Sequence, residues 1–183
     1  MWKKFSEFLH GPQPVFSFQP FLAEVNGLHL QVIRSDKSDI LALLQLERDI
    51  YDGRLPWRQL DFQNQLRRRD CLYLSLYDKS LLVSFVGMRL TPREAHITNI
   101  SVAPTYQRRG IGSYLLDLMI KKAQVAHCAQ VSLEVRTDNQ IAQRLYRRAG
   151  FKTTLVRPGY YDKQHDGLEM GLNLQADRKK KLF

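Results

Sequence analysis

Alternation of apolar and polar positions predicts most of the strands in this chain, because side chains along a strand point to opposite faces with a two-residue period. The alternation is strictest over residues 131–136, where the apolar positions share one face and Glu134 lies on the other. Residues 78–80 separate two alternating runs and predict a hairpin between them. The predicted strands cover residues 27–33, 71–77, 81–90, 96–102, 131–136, 151–157 and 168–174.

Four other stretches repeat apolar residues every three or four positions, which predicts amphipathic helices. Capping residues at 35–39 precede the first helix, Pro56-Trp57 opens the second, and Asn139 caps the fourth, which Gly150 ends. The predicted helices cover residues 40–50, 56–69, 112–127 and 139–150. The order β-α-α-β-β-β-α-β-α-β-β predicts an α/β fold, a mixed twisted sheet with helices on both faces.

The two ends of the chain lack this periodicity. Residues 1–26 carry three prolines among aromatic residues and are interpreted as an N-terminal arm, either packed on the protein's own surface or used for docking or at a membrane surface. Residues 27–175 form the predicted domain, with a loop over residues 158–167 before the last strand. Residues 176–183 are a basic tail that we expect to be frayed and solvated.

One stretch, residues 100–113, runs from an apolar strand into a helix and has the features of an anion-binding loop. Pro104 ends the strand, and Gly110 and Gly112 let the backbone pass close to a ligand. The helix that follows directs unpaired N–H groups and the positive end of its dipole to the same place. The spacing alone leaves two alternatives, a bound phosphate or glycines that serve helix packing.

Composition and charge limit the classes of ligand and site that the chain can have. A net charge of +10 and a pI of about 9.8 predict attraction to polyanions such as a nucleotide cofactor, RNA or an anionic membrane surface. Cys71 and Cys128 are too few and too far apart for a disulfide framework, and no Cys or His spacing predicts a metal site. No apolar run is long enough for a transmembrane helix, so we expect a cytoplasmic location. The five histidines are scattered and receive no predicted chemistry.

With the order of elements and the loop together, residues 27–174 resemble the GCN5-related N-acetyltransferase (GNAT) superfamily. The superfamily's motif stands here as Gln107-Arg108-Arg109-Gly110-Ile111-Gly112 after a strand and at the head of a helix. A narrower resemblance is to the RimI type, the ribosomal-protein-alanine N-acetyltransferases. It is carried by Pro56-Trp57, Leu133-Glu134-Val135-Arg136, Asn139, Leu145-Tyr146, Gly150-Phe151, Tyr160-Tyr161 and Asp166-Gly167. The N-terminal arm and Gln143-Arg144 depart from that pattern.

The resemblance implies an acetyl-CoA site. Backbone of the strand at 100–102 is expected to pair with the pantetheine amides, and the loop amides with the charge of Arg108 or Arg109 are expected to hold the pyrophosphate. A solvent-facing arginine or a purely capping asparagine remain the structural alternatives. The implied cofactor residues are Ile100, Ser101, Val102, Gln107, Arg108, Arg109, Gly110, Ile111, Gly112, Ser113 and Asn139.

The resemblance also implies the chemistry. Glu134 would be the base that takes the amine proton, and Tyr146 the acid that protonates the departing thiolate; the alternatives are a surface glutamate and a packed aromatic. The implied substrate-binding residues are Pro56, Trp57, Tyr160 and Tyr161.

The acceptor is predicted from the same resemblance and from amine basicity. At pH 7 roughly one α-amine in seven is neutral, against a few lysines per ten thousand, so a protein N-terminus is the easier nucleophile. The leading prediction is the N-terminal alanine of a small-subunit ribosomal protein. Two alternatives stay open, namely another protein amine or a small amine as acceptor, and a non-catalytic protein that binds CoA and, through its basic surface, ribosomes or RNA.

Overall fold

Eight strands form one mixed sheet in the computed structural model, which describes residues 18–51, 53, 55–162 and 164–175. The strands are β1 (Phe21–Val25), β2 (Leu28–Arg34), β3 (Cys71–Asp78), β4 (Leu81–Leu90), β5 (Glu94–Val102), β6 (Gln130–Arg136), β7 (Lys152–Asp162) and β8 (His165–Asn173). The helices are α1 (Ile40–Ile50), α2 (Gln59–Arg67), α3 (Ile111–Val125) and α4 (Gln140–Arg148). Two short 3-10 turns cover Lys37–Asp39 and Pro104–Tyr106.

Among the described strands, β5 and β6 form the only parallel pair, and the sheet opens between them. Its strand order is β1-β2-β3-β4-β5-β6-β8-β7, and every neighbouring pair except β5 with β6 is antiparallel. The β5–β6 register begins at Glu94 with Gln130 and ends at Ile97 with Leu133. Beyond that point β5 stays with β4 up to Val102, whereas β6 stays with β8. The two strands therefore diverge, and a cleft lies between their carboxyl ends.

Apolar side chains on the two faces of the sheet form separate cores, because each helix buries its apolar stripe against a different face. On one face, α3 packs through fully buried residues such as Leu115 and Met119, and α4 packs through Tyr146. On the other, α1 and α2 pack through Leu43 and Phe62 against β3 and β4. The predicted mixed sheet with helices on both faces is confirmed.

The boundary drawn at residue 26 was placed too late. Residues 21–25, assigned to the arm, form β1, which pairs with β2 and buries Ala23 and Val25 in the core of the α3 face. The two strands join through Asn26 and Gly27, both with positive φ, and Asn-Gly is the commonest signature of a tight hairpin. That dipeptide was the signal in the sequence for an additional strand.

Two other local predictions change. The segment 158–167, predicted as a loop, is mostly strand, because β7 and β8 form a long hairpin that turns after Asp162. The second helix begins at Gln59 rather than at Pro56. The predicted arm up to residue 17 and the basic tail 176–183 lie outside the described residues. Within the described part, no helix is both long and apolar enough to cross a membrane.

Candidate active site

The predicted anion-binding loop forms one end of a groove of about 380 Å³. Gly110 is the N-cap of α3 and has φ of 86°, a left-handed conformation that a residue with a Cβ adopts only with strain. The first turn of α3 then leaves N–H groups without helical partners. Residues of the loop, of the end of β5 and of α4 line this groove, which we call the donor groove. They include Ile100, Ser101, Val102, Gln107, Arg108, Ile111, Gly112, Asn139 and Ala142.

The loop is held by contacts at both of its ends. The Gln107 side-chain amide donates to the Val102 carbonyl at 3.1 Å, which ties the loop to β5. The Asn26 side-chain amide donates to the Arg109 carbonyl at 3.1 Å, so the β1–β2 turn supports the loop from below. A Cβ on Gly110 would lie 2.6 Å from the Asn26 amide nitrogen. The strand missing from the sequence prediction therefore supports the predicted loop.

The two arginines of the motif have different surroundings. Arg109 places its guanidinium 5.2 Å from the centre of the Tyr106 ring, whose hydroxyl donates to Asp78 at 2.8 Å. Arg108 has φ of 63° and lines the donor groove. Ser113 is exposed in the first turn of α3 and does not line the groove. Of the two arginines, the geometry favours Arg108 for contact with an anion.

The end of β5 has no strand partner on the cleft side among the described residues. Its pairing with β6 stops at Ile97, so in the described residues Ile100–Val102 have a strand partner, β4, on one side only. The β4–β5 register shifts opposite Gly87, where the Tyr73 hydroxyl donates to the Asn99 side chain at 3.0 Å and lies 2.8 Å from the Thr98 hydroxyl. A Cβ on Gly87 would overlap the Tyr73 ring at 2.3 Å. Gly87 therefore makes room for the buried tyrosine that holds the irregular part of β5.

A second cavity, of about 160 Å³, adjoins the donor groove, and we call it the acceptor cavity. The two share Tyr51, Ile100, Ser101, Asn139 and Ala142 as lining residues. Asn139 caps α4 by accepting from the Ala142 N–H at 3.1 Å, as predicted, and it stands between the two spaces. Polar and aromatic residues line the rest of the acceptor cavity. They include Glu47, Pro56, Trp57, Glu134, Tyr146 and Tyr161.

Glu134 projects from β6 into the acceptor cavity, as the alternation predicted. Its Oε2 lies 3.1 Å from Nε2 of His96 on β5, and its side chain is 16% exposed. Partial burial favours the neutral carboxyl. The hydrogen bond from His96 and the charges of His96 and Arg157 oppose burial and outweigh it, so the pKa of Glu134 lies below its ordinary value. The cleft therefore holds Glu134 as a carboxylate.

Tyr146 lies on α4 and is nearly fully buried, with its ring 6.0 Å from that of Phe151. It lines the acceptor cavity together with Glu134. Burial, and to a smaller extent the charge of Tyr51, raises the pKa of the Tyr146 hydroxyl. The phenol is accordingly protonated at neutral pH and has a proton to give.

Glu47 is a cavity residue that sequence reasoning missed. It lies on α1, is 1% exposed, and accepts from the Trp57 backbone N–H at 3.2 Å. Burial, opposed only partly by that hydrogen bond, raises the pKa of Glu47 to about 7. In the sequence it stands inside the apolar stripe of α1, and a carboxyl at a position predicted to be buried was the available signal.

Of the predicted substrate-binding residues, some line the acceptor cavity and one does not. Trp57 packs against Phe62 and Tyr73 at centroid distances of 5.3 and 6.4 Å and forms one wall of the acceptor cavity beside Pro56. Tyr161 forms part of the opposite wall. Tyr160 does not line the cavity: its ring lies beneath the Arg157 guanidinium at 5.9 Å and against Gly167. Successive residues of a strand face opposite sides, so only one of the two tyrosines faces the cleft.

Gln143, noted as a departure from the RimI pattern, has a structural role here. It is 2% exposed, and its side-chain amide donates to the carbonyls of Arg136 and Thr137 at 3.0 and 2.9 Å. Its own Oε1 accepts from Arg147 at 3.0 Å. The residue therefore fastens α4 to the end of β6 and fixes the turn that carries Asn139.

Comparison with known proteins shows which family of proteins the chain is similar to. Residues 39–151 match the model of the Acetyltransferase (GNAT) family. The N-alpha-acetyltransferase RimI of Mycobacterium tuberculosis is 34% identical over 68% of this chain and 80% of its own length. The ribosomal protein bS18-alanine N-acetyltransferase of Escherichia coli is 30% identical over 75% of this chain and 93% of its own length. An uncharacterised Mycobacterium leprae protein, ML0378, is 34% identical over 68% of this chain, which spans 35% of that longer protein.

The fold agrees with the same comparison. The crystal structure of the Escherichia coli ribosomal-protein-S18-alanine N-acetyltransferase superposes with a TM-score of 0.72 at 27% identity. The superposition covers 79% of this chain and 94% of that one. The range 39–151 that the family model matches contains the anion-binding loop, Glu134 and Tyr146.

Proposed function

The chain belongs to the GNAT family of acetyltransferases, and from that premise we propose that it moves an acetyl group from acetyl-CoA to the α-amino group of a protein N-terminus. One observation carries the proposal. The donor groove, with a helix N-terminus, meets the acceptor cavity, with two carboxyl groups, along a shared wall of Ile100, Ser101 and Asn139.

The donor groove fits a CoA ester in three respects. The free edge of β5 at Ile100–Val102 offers N–H and C=O groups to an extended chain with amide bonds. The first turn of α3 offers N–H groups and a positive dipole end to a pyrophosphate, and Arg108 adds a charge. Acetyl-CoA, when bound, supplies an acetyl group activated as a thioester.

The acceptor cavity fits an ammonium group that must lose a proton. Glu134, held as a carboxylate, attracts the ammonium and accepts its proton, which leaves a neutral amine as the nucleophile. A carboxylate is a weak base for an amine with a pKa near 8, so the proton has to be passed on rather than stored. Glu47 adds a second carboxyl on the α1 side of the cavity.

Tyr146 donates a proton, whereas Glu134 accepts one. From the α4 wall it donates its hydroxyl proton to the sulfur that leaves the acetyl group. Because burial raises the pKa of this hydroxyl, a complete transfer to a thiolate is uphill. We infer that donation accompanies departure of the sulfur instead of following it.

For the acceptor we propose an N-terminal alanine, on a small-subunit ribosomal protein. A cavity of about 160 Å³ between Trp57 and Tyr161 suits a small first side chain. The relatives from Mycobacterium tuberculosis and Escherichia coli are named for N-alpha-acetylation and for alanine of ribosomal protein bS18. The net charge of +10 favours an encounter with ribosomal particles, whose RNA is polyanionic.

A peptide panel tests the reaction. Peptides with N-terminal alanine, serine or methionine, and one with a blocked N-terminus and an internal lysine, are incubated with the protein and acetyl-CoA. We expect acetylation of the alanine peptide at the highest kcat/KM and none of the blocked peptide. Acetylation of the blocked peptide would place the acceptor on lysine, and acetylation of none would contradict the proposed activity.

The acceptor protein is tested in cells. Intact masses of the ribosomal proteins are compared between cells with and without this chain. We expect one small-subunit protein to be lighter by a single acetyl group in the deletion, and the wild-type chain, but not a Glu134→Gln variant, to restore its mass. Unchanged masses throughout would remove the ribosomal acceptor while leaving the peptide result intact.

A further inference from the structure

Glu47 is a buried carboxyl group that has no part in the proton transfers of Glu134 and Tyr146. Its Oε2 accepts a hydrogen bond from the Trp57 backbone N–H at 3.2 Å, and its side chain lines the acceptor cavity. Its Oε1 accepts no hydrogen bond from the described residues, among which no fully buried side-chain oxygen lacks a partner. Oε1 is therefore open to the cavity, although only 1% of the residue is exposed.

The hydrogen bond from Trp57 does not by itself require a carboxyl group at this position. A glutamine would accept from the same N–H through its side-chain carbonyl and would bring no charge into a buried site. Burying a carboxylate without a cation is unfavourable, and this cost raises the pKa of Glu47 to about 7. A carboxyl group that costs stability where an amide would serve is typical of a functional site.

The protein does not provide the cation that would pair with Glu47. None of the ion pairs among the described residues includes it. Arg136 lines the same cavity, but its guanidinium pairs with Asp138 at 2.6 Å. A positively charged group that enters the cavity is therefore the partner that the free oxygen lacks.

The acceptor cavity is small enough for its opposite walls to reach one ligand. Its volume of about 160 Å³ is that of about five water molecules. Glu47 enters it from α1 and Glu134 from β6. An ammonium group has three N–H donors and can therefore bind two carboxylates at once. Hydrogen bonds between charged groups are also stronger than those between neutral ones.

We propose that Glu47, together with Glu134, binds the α-ammonium group of the acceptor and so selects a charged N-terminus, an assignment that rests on the proposed acetyl transfer. Glu134 then accepts one proton from the nitrogen. Glu47 accepts a hydrogen bond from a remaining N–H and keeps the nitrogen in place, and it neither gains nor loses a proton in this step. It is a substrate-binding residue on the wall opposite the base.

This role makes binding of the acceptor depend on pH, because only the carboxylate form of Glu47 attracts an ammonium group. With a pKa of Glu47 near 7 and an α-amine near 8, affinity for the alanine peptide should rise by about 5-fold from pH 6 to pH 7.5. His96 contacts Glu134 rather than Glu47, so any effect of its protonation persists when Glu47 is replaced.

The other ionisable groups around Glu47 keep one charge state over this range. The pKa values of the four neighbouring tyrosines are raised, chiefly by burial, and that of Glu134 lies below its ordinary value. The hydrogen bond to Asp138 raises the pKa of Arg136. The tyrosines are Tyr51 on the α1 side, Tyr73 of β3, Tyr146 of α4 and Tyr161 of β7.

Glu47→Gln tests the role, because it keeps an acceptor for the Trp57 N–H and removes the charge. Calorimetry with CoA present, so that no acetyl group is transferred, measures the affinity for two peptides. One begins with alanine, and the other begins with lactic acid, which has the same shape but a hydroxyl in place of the ammonium group. We expect the variant to bind the alanine peptide about 10-fold more weakly, to bind the lactyl peptide like the wild type, and to lose the rise in affinity with pH.

Asp49→Asn is the matched control, since it removes an exposed carboxyl from the same helix and lies outside both cavities. It should bind both peptides like the wild type. Should Glu47→Gln fail to fold, the wild-type protein decides, because its preference for the alanine peptide over the lactyl peptide should grow from pH 6 to pH 7.5. A preference that stays constant over that range would overturn the proposal.

Two other results would also overturn it. Equal losses of affinity for the two peptides would show that Glu47 only holds the Trp57 wall in place. A kcat that falls by more than the affinity for the alanine peptide would make Glu47 a proton acceptor instead of a binding residue. None of these results removes the proposed function, which fails only if the wild-type protein acetylates no peptide.

Discussion

The two halves of the cleft are built in different ways. The donor groove takes its loop and its helix N-terminus from one continuous stretch, residues 100–113. The acceptor cavity takes Glu47 from α1, Trp57 from the segment before α2, Glu134 from β6 and Tyr161 from β7. The donor groove is therefore built mainly from one local motif. The acceptor cavity is built from side chains that are distant in sequence.

The donor groove and the acceptor cavity also differ in how far their electrostatics depend on pH. The donor groove relies on backbone N–H groups and a helix dipole, which do not depend on pH. The acceptor cavity relies on two carboxyl groups whose pKa values are moved in opposite directions, Glu134 downward by its hydrogen bond to His96 and Glu47 upward by burial. The acceptor half is therefore the half that pH and single substitutions should affect most.

The largest expected effect is on Glu134. Glu134→Gln keeps the size of the side chain but removes the proton acceptor, so kcat with the alanine peptide should fall by about 1000-fold with little change in acetyl-CoA binding. Steady-state kinetics and calorimetric titration with CoA measure the two quantities. Glu169→Gln, opposite Glu134 on β8, is the control and should lose far less. Equal losses in the two variants would contradict a base role for Glu134.

Protonation of Glu47 should make the free energy of unfolding depend on pH. Its pKa is raised to about 7 in the folded protein, so the folded state binds a proton that the unfolded state releases above its ordinary value of 4.5. This stabilisation is fully present below pH 4.5 and is lost as pH rises through 7. Glu47→Gln mimics the protonated form, so from pH 5 to pH 8 it should gain up to roughly 3 kcal/mol of unfolding free energy relative to wild type.

Urea unfolding at the two pH values measures this difference, and Glu24→Gln, an exposed carboxyl on β1, is the control. A difference between Glu47→Gln and wild type that does not change with pH would mean that Glu47 stays ionised in the folded protein.

Tyr146 tests the proposed acid on the α4 side of the acceptor cavity. Tyr146→Phe keeps the ring packed against Phe151 and removes only the hydroxyl, so turnover at saturating acetyl-CoA should fall by about 100-fold. Tyr114→Phe, on α3 and outside both cavities, is the matched control. Unchanged turnover in Tyr146→Phe would remove the proposed acid role and leave the tyrosine as a packed aromatic.

Gly110 tests the donor half, where the smallest effect is expected. Gly110→Ala strains a residue at φ of 86° and brings a Cβ to 2.6 Å from the Asn26 side chain. A cost of about 1–2 kcal/mol should raise the KM for acetyl-CoA by about 10-fold and leave the KM for the peptide unchanged. Gly53→Ala, at φ of 85° with nothing near its Cβ position, carries the same backbone strain outside the loop. A change in the KM for the peptide would contradict the prediction that Gly110 acts on the donor groove alone.

The sequence by itself determined the elements and the donor loop, because both are local properties. Periodicity gave the strands around Glu134 and the helices on both faces, and the motif from Gln107 to Gly112 predicted the helix N-terminus. Two strand assignments were missed. β1 is a short strand whose burial depends on pairing with β2, and only its Asn26-Gly27 turn marked it. The predicted loop 158–167 is mostly strand because β7 and β8 extend each other as a hairpin.

The resemblance named Glu134, Tyr146 and Trp57 of the acceptor half in advance, but only the tertiary structure decided which further groups join them and in what environment. Whether a carboxyl on α1 lies in water or in a cavity depends on how α1 packs over the sheet, and that packing buries Glu47. Tyr161 and not Tyr160 lines the cavity, in a part of β7 where the pairing with β8 is irregular. The contact between His96 and Glu134 arises because β5 lies parallel to β6. Burial, hydrogen bonds and neighbouring charges set the pKa of such groups, and these arise only when residues distant in sequence come together.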